Sequence, residues 1–419
     1  MKLIFLSDRS WGKSAYAKVT DNLSRRLMPK HEIAQIPMGS ALRGGNFNDK
    51  GVLIYGSGVN PFGEDVATGY FHEFKADMLI TVKEPWVFRT LQDEAINLVP
   101  MAIIDHSPVS AGITTKLHTA FKVIAISRHG QRELKKEADI ESTYIPHGVD
   151  TKVFTPYTEE EKKKCKELWY FNEDDFVISM ITMNRARKMI PHQLRAIKIF
   201  LESNPDVKNF YLMMWTPVRP PSRPDETEPS MGVADISVDL LPEMVRLGLL
   251  KPIRWPDPKT ISQGIPDLSP TPMMAWDIVS LLNASDGYLL ASGGEGAGLT
   301  YLEALACGLI PICTDYAAAP EYIGPGITVP MKDYVIINTP GTRYAIPDEY
   351  KIAEAITKIY NTDRVKAGRK CRAFAERFSW DNVVEKYMNP FLEKCETELY
   401  PKITKEGLTS WRSELGRPM

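Results

Sequence analysis

The chain has 419 residues, 43% of them hydrophobic and 25% charged, enough for two to three domains with a large core, and this composition excludes disorder, collagen-like repeats and coiled coil. Lys and Arg total 51 against 53 Asp and Glu, a net charge of −2 that offers no global basic field, so nucleic acid is not an expected partner, although a local cationic pocket for phosphate is compatible. The five cysteines, Cys165, Cys307, Cys313, Cys371 and Cys395, contain no C-x-x-C spacing and read as buried small hydrophobes in a reducing compartment, not as disulfides or structural zinc ligands.

The opening MKLIFLSDR carries too short an apolar run for a signal peptide, and the strongest apolar runs further on are strand-sized. They fall well short of the ~20 residues that a bilayer requires. The expectation is a cytoplasmic protein with no integral membrane segment, peripheral membrane contact left open. KLIFL (2–6) reads as a strand and is followed by a helix across 13–28. GVLIY (51–55), DMLITV (77–82), PMAIID (100–105) and KVIAIS (122–127) repeat the strand signature at spacings that leave room for crossover helices, as a parallel sheet covered on both faces requires. YIPHGVDTKVF (144–154) closes this series, and TEEEKKKCKE (158–167) reads as a solvated helix beside a domain boundary.

A second series follows: FVISMIT (176–182), a helix over 190–203, FYLMMW (210–215), a helix over 239–248, GYLLAS (287–292), a helix over 299–307 and IPICTD (310–315). The segment 216–231, with five prolines and no periodicity, reads as an irregular loop or a lid. The predicted fold class is α/β, with two Rossmann-like domains facing each other across a cleft and ligands at the carboxyl ends of the strands.

The first strand–helix loop, SDRSWGKSAYA, lacks G-x-G-x-x-G, which argues against NAD and FAD. It does contain Gly12-Lys13-Ser14, the end of a P-loop, but Ser7 stands where the first glycine of that motif belongs, so a P-loop NTPase is a remote alternative. No D-x-D sequence and no His-Glu-x-x-His occur, and no bound metal is expected. The most informative stretch is GYLLASGGEGAGLTYLEALACGLIPICTD (287–315). It reads as a buried strand, a loop with Gly293, Gly294, Gly296 and Gly298, a helix opening near Leu299, and a stop at Gly308. Such a loop lets backbone N–H groups approach an anion, and the helix N-terminus adds about half a positive charge, so the segment is a seat for phosphate. Glu295 and Glu303 flank that seat. Carboxylates repel phosphate, and their natural partners here are the hydroxyls of a ribose or a hexose.

The spacing of Glu295, seven residues, then Glu303, within EGAGLTYLEALACG, resembles the donor-site motif of the retaining family 4 glycosyltransferases of GT-B fold. IPHGVDTKVFTP (145–156) resembles that family's interdomain segment, NRARKMIP (184–191) its Arg/Lys diphosphate clamp, and FSWDNVVEKY (378–387) the segment that crosses back to the first domain. The resemblance implies that Glu303 binds the donor ribose, that the backbone of Gly298, Leu299 and Thr300 holds the diphosphate with Gly296 and Ala297 beside it in the donor site, and that Glu295 meets the donor sugar. It implies that Lys188, with Arg187 or Arg185, neutralises the leaving phosphate. His106, in IIDHSPVS, resembles a histidine facing the donor sugar, and Gly12 stands in the first loop where the family often has a glycine pair.

Each residue also has a plainer reading. Glu303 suits the first turns of a helix, Lys188 alone would be a surface lysine, and His147 and the tryptophans at 86, 215, 255, 276 and 380 read as structural. The resulting expectation is a donor domain over 157–387 and an acceptor domain over 1–156 joined by 388–419. The reaction implied is retaining transfer of a hexose from a UDP- or GDP-sugar to a hydroxyl of a sugar, glycan or lipid-linked acceptor, without a cofactor. The alternatives are a nucleotide-sugar epimerase or hydrolase of the same fold, and a non-catalytic nucleotide-sugar-binding subunit.

Overall fold

The structure is a computed structural model that describes residues 1–12, 14–39, 45–219, 235, 237–255, 273–337 and 342–401, the side chains of 273–277 excepted. Strands β1 (Lys2–Ser7), β2 (Glu32–Pro37), β3 (Phe47–Asp49), β4 (Val52–Ile54), β5 (Met78–Val82), β6 (Leu98–Ala102), β7 (Ile124–Ala125) and β8 (Thr143–Tyr144) form an eight-stranded sheet in the order β3-β4-β2-β1-β5-β6-β7-β8. β1 is apolar along Leu3–Leu6, and all four side chains are buried, because helices cover both faces of the sheet. It pairs in parallel with β2 (Leu3 opposite Ile33) on one side and β5 (Leu3 opposite Met78) on the other. The chain therefore reverses its direction of travel across the sheet between β1 and β5, and the crevice opens beyond Ser7 and Val82.

A second sheet contains β9 (Phe176–Ile181), β10 (Phe210–Trp215), β11 (Ile253–Arg254), β12 (Gly287–Leu290), β13 (Pro311–Thr314) and β14 (Ile327–Val329), all parallel, in the order β11-β10-β9-β12-β13-β14. Its switch point lies between β9 and β12. The loop leaving β9 carries Arg185, Arg187 and Lys188, and the loop leaving β12 carries the glycines, so topology alone brings these two segments to one crevice. An antiparallel hairpin, β15 (Met331–Ile337) with β16 (Thr342–Pro347), braces the glycine loop through Ala345 N–H, which donates to the Gly293 carbonyl at 2.8 Å.

Local chemistry accounts for the helix ends. Ser14 caps the helix Ala15–Leu27 by accepting from Ala17 N–H. Thr158 and Glu161 form a capping box on Glu159–Leu168, the charged helix expected at 158–167. The chain crosses back at a parallel bridge between Val149 and Ser379, flanked by Val149 N–H to the Phe378 carbonyl at 2.9 Å and Trp380 N–H to the Val149 carbonyl at 3.2 Å. Its last described helix, Asn389–Leu399, is tied to the first sheet's unit by Lys122 with Glu398 at 2.5 Å and by Tyr400, whose hydroxyl donates to Asp77.

Several expectations need correction. The sheets are not wholly parallel, because β3 and β4 form a hairpin through Lys50 and Gly51, whose φ values of 51° and 96° suit a tight two-residue turn. The run 122–127 yields only Ile124–Ala125 as strand, since Ser127 already caps the helix Arg128–Ala138. The helix expected over 239–248 is Leu241–Arg246, ended by Gly248 at φ 69°. β2 escaped notice because Gln35 and Pro37 interrupt its apolar pattern, yet Gln35 is fully buried, its amide donating to the Asp8 carbonyl at 2.8 Å. The five cysteines are buried and free, and Trp380 is a core residue at 3% exposure. The proline-rich segment lies outside the described residues from 220 onwards, as do Lys13, the side chain of Trp276 and residues 402–419.

Candidate active site

Strand β9 ends at Ile181, and the chain turns through Ala186–Lys188, a single tight helical turn, before the helix Ile190–Ser203 begins. That turn is fastened to the glycine loop by Gly293 N–H, which donates to the Arg187 carbonyl at 2.8 Å. Lys188 is 8% exposed and its ammonium donates to Glu295 Oε1 at 2.5 Å, with Glu295 itself 7% exposed. Burial and the neighbouring Arg187 charge pull the Lys188 pKa down, and Glu295 offsets part of this. Arg187 contacts three groups: the Gly294 carbonyl at 3.0 Å, Asp235 at 3.1 Å and, from the other domain, Asp105 at 3.6 Å. Burial opposes its charge, but the carboxylates of Asp105, Glu295 and Asp235 raise its pKa. Arg185 is directed instead to the Asp235 backbone carbonyl at 3.3 Å.

Asp105 and His106 stand beyond β6 on the first-domain wall. Burial acts to raise the Asp105 pKa, and the His106 hydrogen bond with the Arg187 charge overcomes it and holds the carboxyl at about 2. His106 is 2% exposed. Ser110 N–H donates to its Nε2 at 3.3 Å, which leaves the proton on Nδ1, and Nδ1 donates to Asp105 at 2.8 Å. Both ring nitrogens are thus engaged within the first domain.

In the glycine loop, Gly298 is the N-cap of Leu299–Ala306 at φ 69°, and no side chain caps that helix. Its first-turn amides, on Leu299 and Thr300, present the positive end of the helix dipole. Gly294 is required by close approach, since a Cβ there would run into the Asp105 carbonyl oxygen across the cleft. Glu303 lies one turn into the helix and is 4% exposed. Its Oε1 accepts from Lys18 at 2.5 Å, a residue of the first-domain helix Ala15–Leu27, while Oε2 is buried without a hydrogen-bond partner among the described residues. A buried carboxylate oxygen left unpaired is costly, and in a native site it marks the position of an absent donor.

Gly12 shapes the first loop, its N–H donating to the Arg9 carbonyl at 2.8 Å. Ser14 is engaged with Asp8 at 2.6 Å and with the helix cap, so the Gly12-Lys13-Ser14 resemblance to a P-loop finds no open hydroxyl. The structure therefore gathers Arg187, Lys188, Glu295, Gly296 to Thr300 and Glu303 at one crevice, with Asp105 and His106 facing them, whereas Gly12 serves a turn in the opposite domain. Sequence reasoning missed Lys18, Asp105 and Asp235. Asp105 had a signal, as the last residue of PMAIID beside His106; Lys18 had none, since its partner is 285 residues away. Among the described residues no group of three or more His, Cys, Asp or Glu side chains is placed to hold a metal ion, and no helix is long and apolar enough to cross a membrane.

The glycine loop and the helix after it lie in a segment, residues 272–377, that matches the family described as glycosyl transferases group 1. No curated protein sequence matches the chain. Among solved structures, a glycosyltransferase from Rickettsia africae ESF-5 aligns with a TM-score of 0.65 and 16% identity over 96% of this chain and 99% of that one. Sucrose-phosphate synthase from Thermosynechococcus elongatus gives a TM-score of 0.68 at 13% identity, over 94% and 98% of the two chains. Anabaena Alr3699/HepE, in complex with UDP, gives 0.63 at 15% identity, over 94% and 100%. The shared architecture is GT-B, and the match to the group 1 glycosyl transferases falls on residues 272–377, in the second half of the chain.

Proposed function

We propose that the protein is a retaining, metal-independent hexosyltransferase of the family 4 kind, acting in the cytoplasm on a nucleoside-diphosphate sugar. The observation that carries this reading is the orphaned Oε2 of Glu303, one turn beyond an uncapped, glycine-led helix N-terminus. A phosphate at the helix end and a hydroxyl donor at the carboxylate, held one helical turn apart, are two parts of one nucleoside diphosphate. The relative HepE has been captured with UDP, and also with UDP-glucose, which supports a uridine donor here as the first to try.

On this reading the donor diphosphate rests on the amides of Leu299 and Thr300, and Lys188 and Arg187 stabilise the charge that develops as the anomeric C–O bond breaks. Glu295 fixes the Lys188 ammonium and faces the transferred sugar. The acceptor hydroxyl, presented from the first domain, forms the new bond on the same face, and its proton passes to the departing diphosphate. A sugar, glycan or lipid-linked acceptor, with peripheral membrane contact for the last, fits this scheme. No separate cofactor enters it.

A screen of UDP- and GDP-sugars for donor consumption, run with excess EDTA and with the product anomer read by NMR, tests the proposal. Retention of the donor anomeric configuration with undiminished rates in EDTA is expected. Inversion, or activity that vanishes in EDTA and returns with Mg²⁺ or Mn²⁺, refutes it.

A further inference from the structure

We infer that Lys18 sets donor affinity from the opposite domain by competing with the donor ribose for Glu303. The inference rests on the assignment of Glu303 to the ribose. Lys18 lies on the helix Ala15–Leu27, whose N-cap Ser14 and buried Val19 and Leu23 fix it to the first domain. Its stem passes the Phe154 ring, with the ammonium 5.7 Å from the ring centroid, and reaches Glu303 Oε1 at 2.5 Å.

Three features of the pair decide its role. The Glu303 side chain is 5% exposed and the Lys18 side chain 37%, so the carboxylate is fixed and the lysine is the partner that can leave. Oε1 is occupied by the ammonium. Oε2 is buried and has no hydrogen-bond partner among the described residues, so no hydroxyl reaches it while the cleft holds this form. A ribose diol that spans both oxygens can therefore meet this carboxylate only when the Lys18 ammonium gives up Oε1.

Lys18 is thus a residue that acts on the donor through Glu303, and its effect is confined to ligands that need Glu303. Lys18→Met keeps the stem against Phe154 and removes the charge. Isothermal titration of wild type, Lys18→Met, Lys18→Arg and Glu303→Gln with UDP and GDP, and with the 2′,3′-dideoxy form of whichever binds wild type more tightly, separates the possibilities. Lys18→Met should bind the ribonucleotide roughly two- to fivefold more tightly than wild type, the scale of a half-exposed ion pair. The gain should disappear with the dideoxy nucleotide, and Lys18→Arg should resemble wild type.

Unchanged or weakened ribonucleotide binding in Lys18→Met overturns the inference, as does an equal gain for both nucleotides, which would indicate general loosening of the cleft. Glu303→Gln distinguishes this failure from a failure of the donor assignment. If Glu303→Gln loses affinity while Lys18→Met is unaltered, only the role of Lys18 is wrong. If wild type binds neither nucleotide, both fall.

Discussion

At the residue scale, the cations of the cleft are already committed to carboxylates: Lys188 to Glu295, Arg187 to Asp235 and Asp105, and Lys18 to Glu303. This alters what a clamp variant should do. Lys188→Ala is expected to lower kcat by ~100-fold or more, because it withdraws a fixed charge from the leaving diphosphate. It should also lower stability by about 3 kcal/mol, since Glu295 is left buried and unpaired. Lys188→Met combined with Glu295→Gln should recover much of that stability and none of the turnover. Urea denaturation beside steady-state rates makes the comparison, and a Lys188→Ala variant with wild-type kcat would move the clamp to Arg187. Glu295 and Glu303 should also separate in their effects, Glu295→Gln depressing turnover while leaving bare-nucleotide affinity nearly intact.

At the scale of elements, the segment 145–156 and the crossover at 378–387 form one buttress. His147 is 4% exposed, its ring 6.4 Å from that of Trp380, with Nε2 buried and without a hydrogen-bond partner among the described residues. Burial lowers its pKa to about 4 from an ordinary 6.5. The unfolded chain therefore binds the proton that the folded chain refuses, so His147 costs no stability above pH 6.5 and progressively more as the pH falls to 4, about 3 kcal/mol in full. His147→Leu should flatten the stability profile across that interval, measured as urea midpoints at pH 7 and pH 5; equal acid losses in both proteins would remove His147 from this role. The place of His147 directly after Pro146 suits a structural residue, and its side chain is buried. The donor loop was equally legible, because strand, glycines, helix and both carboxylates are contiguous in 287–308. The pair β15 and β16 was not, since β15 leaves Tyr334 and Ile336 exposed and shows no alternation of buried and exposed positions. The partners of Arg187 stayed hidden for another reason: Asp105 and Asp235 come from other loops, and only the assembled fold brings them to it.

At the scale of the whole molecule, the chain is built on two mainly parallel sheets joined at 145–156 and recrossed at 378–387, with the last described helix returned to the first. Removal of residues from Phe378 onwards should expose the surface that Trp380, Val383, Met388 and Phe391 bury and abolish cooperative unfolding of the first domain, visible by calorimetry. A truncated chain with an unchanged transition would show that this segment is not a tie. Two of the ion pairs between the halves, Lys18 with Glu303 and Arg187 with Asp105, involve side chains assigned to the donor, while Glu321, which accepts from Arg128 N–H and His129 N–H, ties the halves together away from them. The assignment on which the rest depends is that Glu303 receives the ribose of a nucleoside diphosphate. Titration calorimetry of UDP and GDP into wild type and Glu303→Gln addresses it directly: one nucleotide should bind wild type, and the variant should bind it roughly 5- to 150-fold more weakly, the cost of about 1 to 3 kcal/mol for a lost charge-assisted hydrogen bond. Equal affinities in the two proteins, or binding of neither nucleotide to wild type, would place the donor elsewhere.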